Sequence, residues 1–427
     1  MRLSVPSGPL DVRLEEVNLF DPNLYAFGDP HPVWKALRER EPVWWQQLGD
    51  GRGFWAVTRH ADACWVLRDH TAFTSQKGTL LCILGSDDPA GGRMMAATDP
   101  PRHTQFREPL THALSPKMIR PRRPQVERIV RQLLAPLAEA EGGPWDLAAA
   151  AAGFPMAFTG VLMGLPEADW PRLTRCTTMA IANDDPEFQE GPSRTTLISA
   201  HHELFEYFSE QVRTRRAAPR DDLIGLLMGI EVEGRPLRLD EIVYNCYSLL
   251  LGANVTTPHV VAATVLAMTE RPRTYQHWAA HPELLASGVE EGLRWASPAN
   301  HFMRYAVRDV TVGDAKVREG EALAVFLGSA NRDEAEFDDP YRFDLARRPN
   351  RHIAFGFGHH FCVGGPLARI ALQILFGEIL RLVERFELAG PVEHLCSNFV
   401  AGIKHLPVQA ALRPGAGREL AGAAPRR

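Results

Sequence analysis

Cys362 lies in the run Phe355-Gly356-Phe357-Gly358-His359-His360-Phe361-Cys362-Val363-Gly364, just ahead of a helix expected from Pro366. Three glycines at fixed places, at about 7% each, would coincide by chance roughly three times in ten thousand, so the spacing carries information. Glycines permit a tight loop that brings backbone close to a flat ligand. A cysteine before a helix N-terminus has its thiolate stabilised by the helix dipole and the free amide N–H groups. Those are the conditions for an anionic sulfur ligand to iron. A second unusual stretch is Leu251-Gly252-Ala253-Asn254-Val255-Thr256-Thr257-Pro258, in the middle of an apolar helical segment at 240–270. At about 1.5 Å per residue such a helix would run roughly 46 Å, through the core. Gly252, Val255, the two threonines and Pro258 make a poor helix centre, and Pro258 leaves the Asn254 carbonyl without its ladder donor. Two readings stay open: a simple kink, or an opening where a small ligand or water enters.

The cysteine run resembles the haem-binding loop of the cytochrome P450 family, F-G-x-G-x-H/R-x-C-x-G, at every fixed position. Two further segments repeat the resemblance in the expected order. Glu291-Gly292-Leu293-Arg294 is an E-x-x-R, 68 residues before the cysteine when counted from its arginine. Pro340-Tyr341-Arg342-Phe343 looks like the segment whose arginine, here Arg342, completes a buried cluster with Glu291 and Arg294. The likeness spans about Asp21 to Leu412 and is closest to soluble bacterial members. It implies a mainly α fold with a small β-rich region and a long central helix crossing the core over haem b. Cys362 is then the metal ligand, and Phe355, Gly356 and Gly364 shape its loop. His103, Arg107, Arg304 and His360 are expected to hold the haem propionates. His103 and Arg107, at i,i+4, share one helix face. The family's acid–threonine pair for proton relay maps to Val255-Thr256. The hydroxyl is present and the carboxylate is absent. Thr256 and Asn254 are therefore the expected catalytic residues, Asn254 able to hydrogen-bond but not to titrate. The pocket is expected to use Leu81, Leu84, Met94, Ala253, Ala299, His301 and Phe302. His301 reads equally as a polar pocket group and as a satisfied core histidine.

The elements that must position these groups are mostly helical. Apolar periodicity marks helices at 124–140, 197–215, 240–270 and 366–386, with two short core helices expected between Leu147 and Leu165, around Pro155. A strand at 53–57 and short β-rich pieces at 305–325 supply the sheet. The 427 residues carry 45% hydrophobic and 23% charged side chains and a net charge of −5, which argues against nucleic acid as a partner. One domain is expected over 21–412, preceded by an N-terminal arm (1–20) and followed by a disordered tail (413–427). Six scattered cysteines and no basic-then-apolar leader point to the cytoplasm, with no membrane association.

The resemblance implies a haem-thiolate monooxygenase that hydroxylates or epoxidises a small hydrophobic substrate, free or carrier-bound, in bacterial natural-product biosynthesis. No flavin, nicotinamide or iron–sulfur segment is apparent, so electrons are expected from a ferredoxin and its reductase. Lys117, Arg120, Arg122 and Arg123 either dock an acidic ferredoxin or form a solvated basic loop. Val255 keeps a second chemistry open: aryl or ring coupling, or peroxide-driven oxidation without net oxygen insertion. A third reading, a zinc-stabilised scaffold, would use the His360/Cys362 and His394/Cys396 pairs, spaced more tightly than usual.

Overall fold

The computed structural model describes residues 12–140 and 142–422. Helices form the bulk. Those around the cysteine loop are α1 (Arg102–Ala113), α2 (Leu147–Leu162), α3 (Ser193–Ala217), α4 (Leu239–Asn254), α5 (Thr257–Thr269), α6 (Leu285–Ala296) and α7 (Gly365–Leu382). One apolar core joins α2, α5, α6 and α7 through Phe154, Val261, Val265, Leu293, Leu372 and Leu375. A second, with Phe106, Leu110, Phe208 and Leu250, joins α1, α3 and α4. Five strands, β1 (Val43–Gln47), β2 (Gly53–Val57), β3 (Phe73–Thr74), β4 (His301–Ala306) and β5 (Ala322–Phe326), lie in the spatial order β1-β2-β5-β4-β3. Only the β2–β5 pair is parallel, with Ala324 opposite Ala56. Every residue of β5 is buried, which is why its sequence is apolar throughout rather than alternating.

The expected 240–270 helix is two helices separated by Val255 and Thr256. The amide of Val255 still reaches the Leu251 carbonyl, but Thr256 departs to φ −118°, ψ −47°. Pro258 then stands in the first turn of α5, where the missing N–H has no ladder bond to lose. The span 239–269 is long and apolar enough to cross a membrane, yet 56% of its most apolar window is buried inside the protein. Between 147 and 165 the expectation of two short helices is corrected: α2 runs unbroken through Pro155, capped by Asp146, whose carboxylate accepts from the amides of Ala148 and Ala149. Burial along both sides holds it straight enough to tolerate one lost bond.

Both domain ends differ from the expected boundaries. Within the arm, Leu19 is fully buried and its amide donates to Gln46 Oε1 at 2.8 Å, so residues just before 21 belong to the packed body. In the tail, Ala416–Ala421 is a helix, with Ala416 and Leu420 at i,i+4 buried in the main core. Arg381 on α7 pairs with Glu419 at 2.7 Å. Residues 1–11 and 423–427 lie outside the described residues.

The buried cluster on α6 contains an arginine other than the expected one. Arg294 grips Glu291 with Nε and Nη2 at 2.8 and 2.7 Å, and donates through Nη1 to the carbonyls of Asn331 and Pro340. Its second cation is Arg347, whose Nε faces both Glu291 oxygens at 3.3 and 3.2 Å. Arg342 is exposed and contributes only its carbonyl, to Arg294 and Arg347. The chain from 342 to 347 buries Phe343, Leu345 and Arg347 in alternation, which turns Arg342 outward. Removing one partner of a buried ion pair strands the other charge. Arg347→Ala is expected to lower stability by about 3–5 kcal/mol, and Arg342→Ala by less than about 0.5 kcal/mol. Urea denaturation of the two variants checks this, and equal losses would contradict the assignment.

Candidate active site

The cysteine loop is built on two left-handed glycines. Gly356 has φ +73° and Gly358 φ +71°, and a Cβ on Gly358 would stand 2.7 Å from Arg68 Cα, so no side chain fits there. Cys362 donates its amide to the Phe355 carbonyl at 2.8 Å, closing the loop, and Gly365 opens α7 directly after it. The amides of Gly364 and Gly365 and the guanidinium groups of Arg107 and Arg369 all favour an anionic sulfur, but burial outweighs them and pushes the thiol up. The loop thus gathers four groups that favour an anionic sulfur.

Beside the loop, Arg304, His103, His360 and Arg107 converge. Arg304 is 4% exposed, and among the described residues its side chain hydrogen-bonds to the adjacent Met303 carbonyl alone. His103 and His360 have ring centres 4.5 Å apart, and His103 Nε2 is buried without a partner. His360 meets Ser75 Oγ at 3.1 Å, and Arg107 donates to the Phe361 carbonyl. Burial, then the neighbouring cations, hold His103 down at about 4 and His360 well below its ordinary value. Burial draws Arg304 down to about 10. The nearby carboxylate, Asp99, is engaged by Thr74 Oγ1 and the Ser75 amide. Buried donors of this kind, one of them orphaned, fit the carboxylates of an anionic ligand. Phe302 shares the strand face of Arg304, two residues apart, and so lies on this side of β4.

At the helix break, Thr256 Oγ1 donates to the Gly252 carbonyl at 3.2 Å. A Cβ on Gly252 would meet nothing within 4 Å, so this side of α4 is open. Val255, where the family has an acid, is buried with Ile181, Ala182, Leu395 and Val400. Asn254 points elsewhere than expected. Its amide donates to Met156 Sδ on α2 at 3.2 Å, its Oδ1 is buried without a partner, and at about 100° per residue it lies on the far side of the helix from Thr256.

The expected pocket residues divide. Met94, Ala253 and Phe302 remain partly accessible. Leu81 and Leu84 instead pack into the core of the sheet with Trp34, Phe54 and Met303, because the 3-10 turn at 81–83 folds them inward. Ala299 is buried and bridges Val400. His301 is fully buried, accepting the Leu81 amide at Nε2 (3.1 Å) and meeting the Asn398 carbonyl at Nδ1 (3.2 Å). The Leu81 donor makes Nε2 the lone-pair nitrogen, so Nδ1 carries the proton. Sequence reasoning overlooked Ser75. It also missed Glu290 and Arg369, discussed below. The zinc reading fails: among the described residues no three His, Cys, Asp or Glu side chains are placed to hold a metal.

Residues 274–397 match the family described as Cytochrome P450. Cytochrome P450 NovI of Streptomyces niveus is 34% identical over 399 residues, covering 93% of this chain and 97% of that protein. The chain belongs to the cytochrome P450 family. Linalool 8-monooxygenase of Pseudomonas putida is 33% identical, over 92% of this chain and 99% of its own. The crystal structure of P450 OxyD, involved in the biosynthesis of vancomycin-type antibiotics, superposes with a TM-score of 0.83 at 32% identity, over 93% of this chain and all of that one. The protein is thus a haem-dependent P450 monooxygenase with the P450 fold, and the converging basic side chains beside Cys362 are where the residues present suit such a group.

His301→Leu leaves the Leu81 amide without its acceptor and takes one of two donors from the Asn398 carbonyl, which keeps Asn300 Nδ2. It is expected to lower stability by about 1–3 kcal/mol and to weaken substrate-induced spectral shifts while preserving the reduced carbonyl spectrum. Substrate titration of the variant checks this; unchanged binding would contradict its role as a strut.

Proposed function

We propose that this P450 inserts one atom of O2, by hydroxylation or epoxidation, into a small hydrophobic organic substrate during natural-product biosynthesis. The observation that carries the reading is the Cys362 loop: a sulfur faced by two amides and two guanidinium groups, beside the buried Arg304 and His103 with Arg107 and His360 next to them. Haem held by a thiolate sulfur supplies oxygen activation suited to C–H insertion. In this assignment Cys362 is the ligand. Arg107, Arg304, His103 and His360 hold the propionates, and Phe355, Gly356 and Gly364 set the loop.

Thr256 Oγ1 holds and passes a proton at the open side of α4. Val255 offers no titrating group and Asn254 is committed to α2, so the remaining proton path runs through ordered water or the substrate. The accessible apolar groups Met94, Ala253 and Phe302 suit a hydrophobic molecule. Relatives whose names specify linalool oxidation and antibiotic biosynthesis support the same substrate range. Electrons come from a ferredoxin and its reductase. Lys117, Arg120, Arg122 and Arg123 are all exposed, and Arg122 borders a groove with Leu367 of α7, near the cysteine loop, which suits an acidic donor. The enzyme works as a soluble cytoplasmic protein; among the described residues one apolar stretch has membrane length, and 56% of its apolar window is buried in the core.

Val255 favours a second reading: aryl or ring coupling, or peroxide-driven oxidation, with no net oxygen insertion. Turnover under isotopically labelled O2 separates the two. The proposal expects the label in the product, and its absence from a product formed at normal rate would favour coupling.

A further inference from the structure

Next to the buried cluster of Glu291, α6 presents Glu290 to a different network. Arg369, in the second turn of α7, grips Glu290 in a bidentate pair, Nε to Oε1 at 2.7 Å and Nη2 to Oε2 at 2.9 Å. His352 Nε2 meets the same Oε2 at 3.0 Å, and its Nδ1 accepts the Ala354 amide at 3.3 Å. The His352 side chain is 2% exposed, so the network is closed on that side. Burial alone would raise the Glu290 carboxyl, but hydrogen bonds from His352 and Arg369 outweigh it and hold it at about 2. The acid stays ionised through the working range.

The guanidinium of Arg369 is thereby fixed over the cysteine loop. It stacks on the Phe355 ring with 4.5 Å to the centroid and lies 6.0 Å from the centre of Phe361. Phe355 is the residue whose carbonyl accepts the Cys362 amide. The third guanidinium nitrogen, Nη1, lies 3.5 Å from where a Gly365 Cβ would stand, at the start of α7 just after the cysteine loop. Arg369 is also one of the charges that favour the anionic form of Cys362. With the guanidinium stacked on the cysteine loop and its carboxylate partner on α6, the ion pair is a fixed dipole whose positive end lies against that loop. Cation–π contact with Phe355 keeps it registered to the loop.

We propose that Arg369, held by Glu290 and His352, is a positioning residue that sets the charge felt by the Cys362 sulfur and with it the reduction potential of the bound haem. This rests on the assignment of Cys362 as the haem ligand. A nearby cation stabilises the more negative, reduced state of the centre, and a nearby anion destabilises it. Arg369→Gln leaves Glu290 behind and shifts the potential to more negative values. Glu290→Gln leaves the cation unpaired and shifts it to more positive values. The double variant returns close to the parent. Arg369→Lys, which keeps the charge without the planar stack, stays closer to the parent than Arg369→Gln does.

Spectroelectrochemical titration of the haem-loaded variants reads these shifts, with the reduced carbonyl spectrum recorded for each. Shifts of the two single variants in the same direction, or no shift in either, would overturn the proposal. So would a lysine variant displaced as far as the glutamine one. Should Arg369→Gln fail to retain haem, Glu290→Gln and Arg369→Lys decide it alone. A parent protein lacking a thiolate-type carbonyl spectrum would instead overturn the assignment of Cys362, a separate outcome.

Discussion

Uncompensated charge is the constraint around which this molecule is arranged. Arg304 and His103 are withdrawn from water beside the part-buried His360 and Arg107, and the carboxylate at hand, Asp99, is already bonded to Thr74 and Ser75. Next to them, amides and guanidinium groups favour at Cys362 an anion that desolvation opposes. Each half carries a cost that the other cannot relieve, since the sulfur needs a metal cation and the basic groups need carboxylates. A metal porphyrin with two propionates meets both demands at once. Binding energy of this kind stabilises the folded state, because the unfolded chain has no such arrangement.

The remainder of the fold serves that site through rigid, well-satisfied contacts. The Glu291–Arg294–Arg347 cluster fastens α6 to the irregular chain at 331–350 that leads into the cysteine loop. His301 ties β4 to the loop at Leu81 and to the turn at Asn398. Above the helix break, Asp185 is fully buried and joins three segments, accepting from the Cys396 amide and from Lys404 Nζ at 2.8 and 2.9 Å. His405 extends this clasp by bridging Asp146 and Glu187 at 2.6 and 3.0 Å. Val255 contributes to the same layer by packing with Ile181, Leu395 and Val400. An acid in its place would bring a charge into apolar surroundings, which gives the departure from the family pattern a structural reason as well as a chemical consequence.

The cysteine loop and the central helix break left local traces, in glycine geometry and proline's missing donor, whereas the E-x-x-R stood out only through the family resemblance and its place ahead of Cys362. Residues whose roles depend on distant chain segments were harder. Arg342 and Arg347 are both plausible by composition, and only the alternating burial of 342–347 decides between them. Leu81, Leu84 and Ala299 have the chemistry of a pocket lining, yet the sheet takes them for its core. Asn254 was placed by adjacency in sequence, whereas helix rotation turns it toward Met156. Arg369 left a usable trace, since it stands four residues after Gly365 and so on the same face of α7 as the loop's exit. Its partner Glu290 left none, being hidden beside the more conspicuous Glu291.

The central claim is that the Cys362 sulfur, as an anion, is the protein's bond to haem iron. Its most direct measurement is the absorption spectrum of the reduced, carbon-monoxide-bound protein after Cys362→Ser and Cys362→His, together with turnover. Both variants are expected to lose the thiolate-type band and the activity. Retention of the parent spectrum and turnover by either would contradict the account.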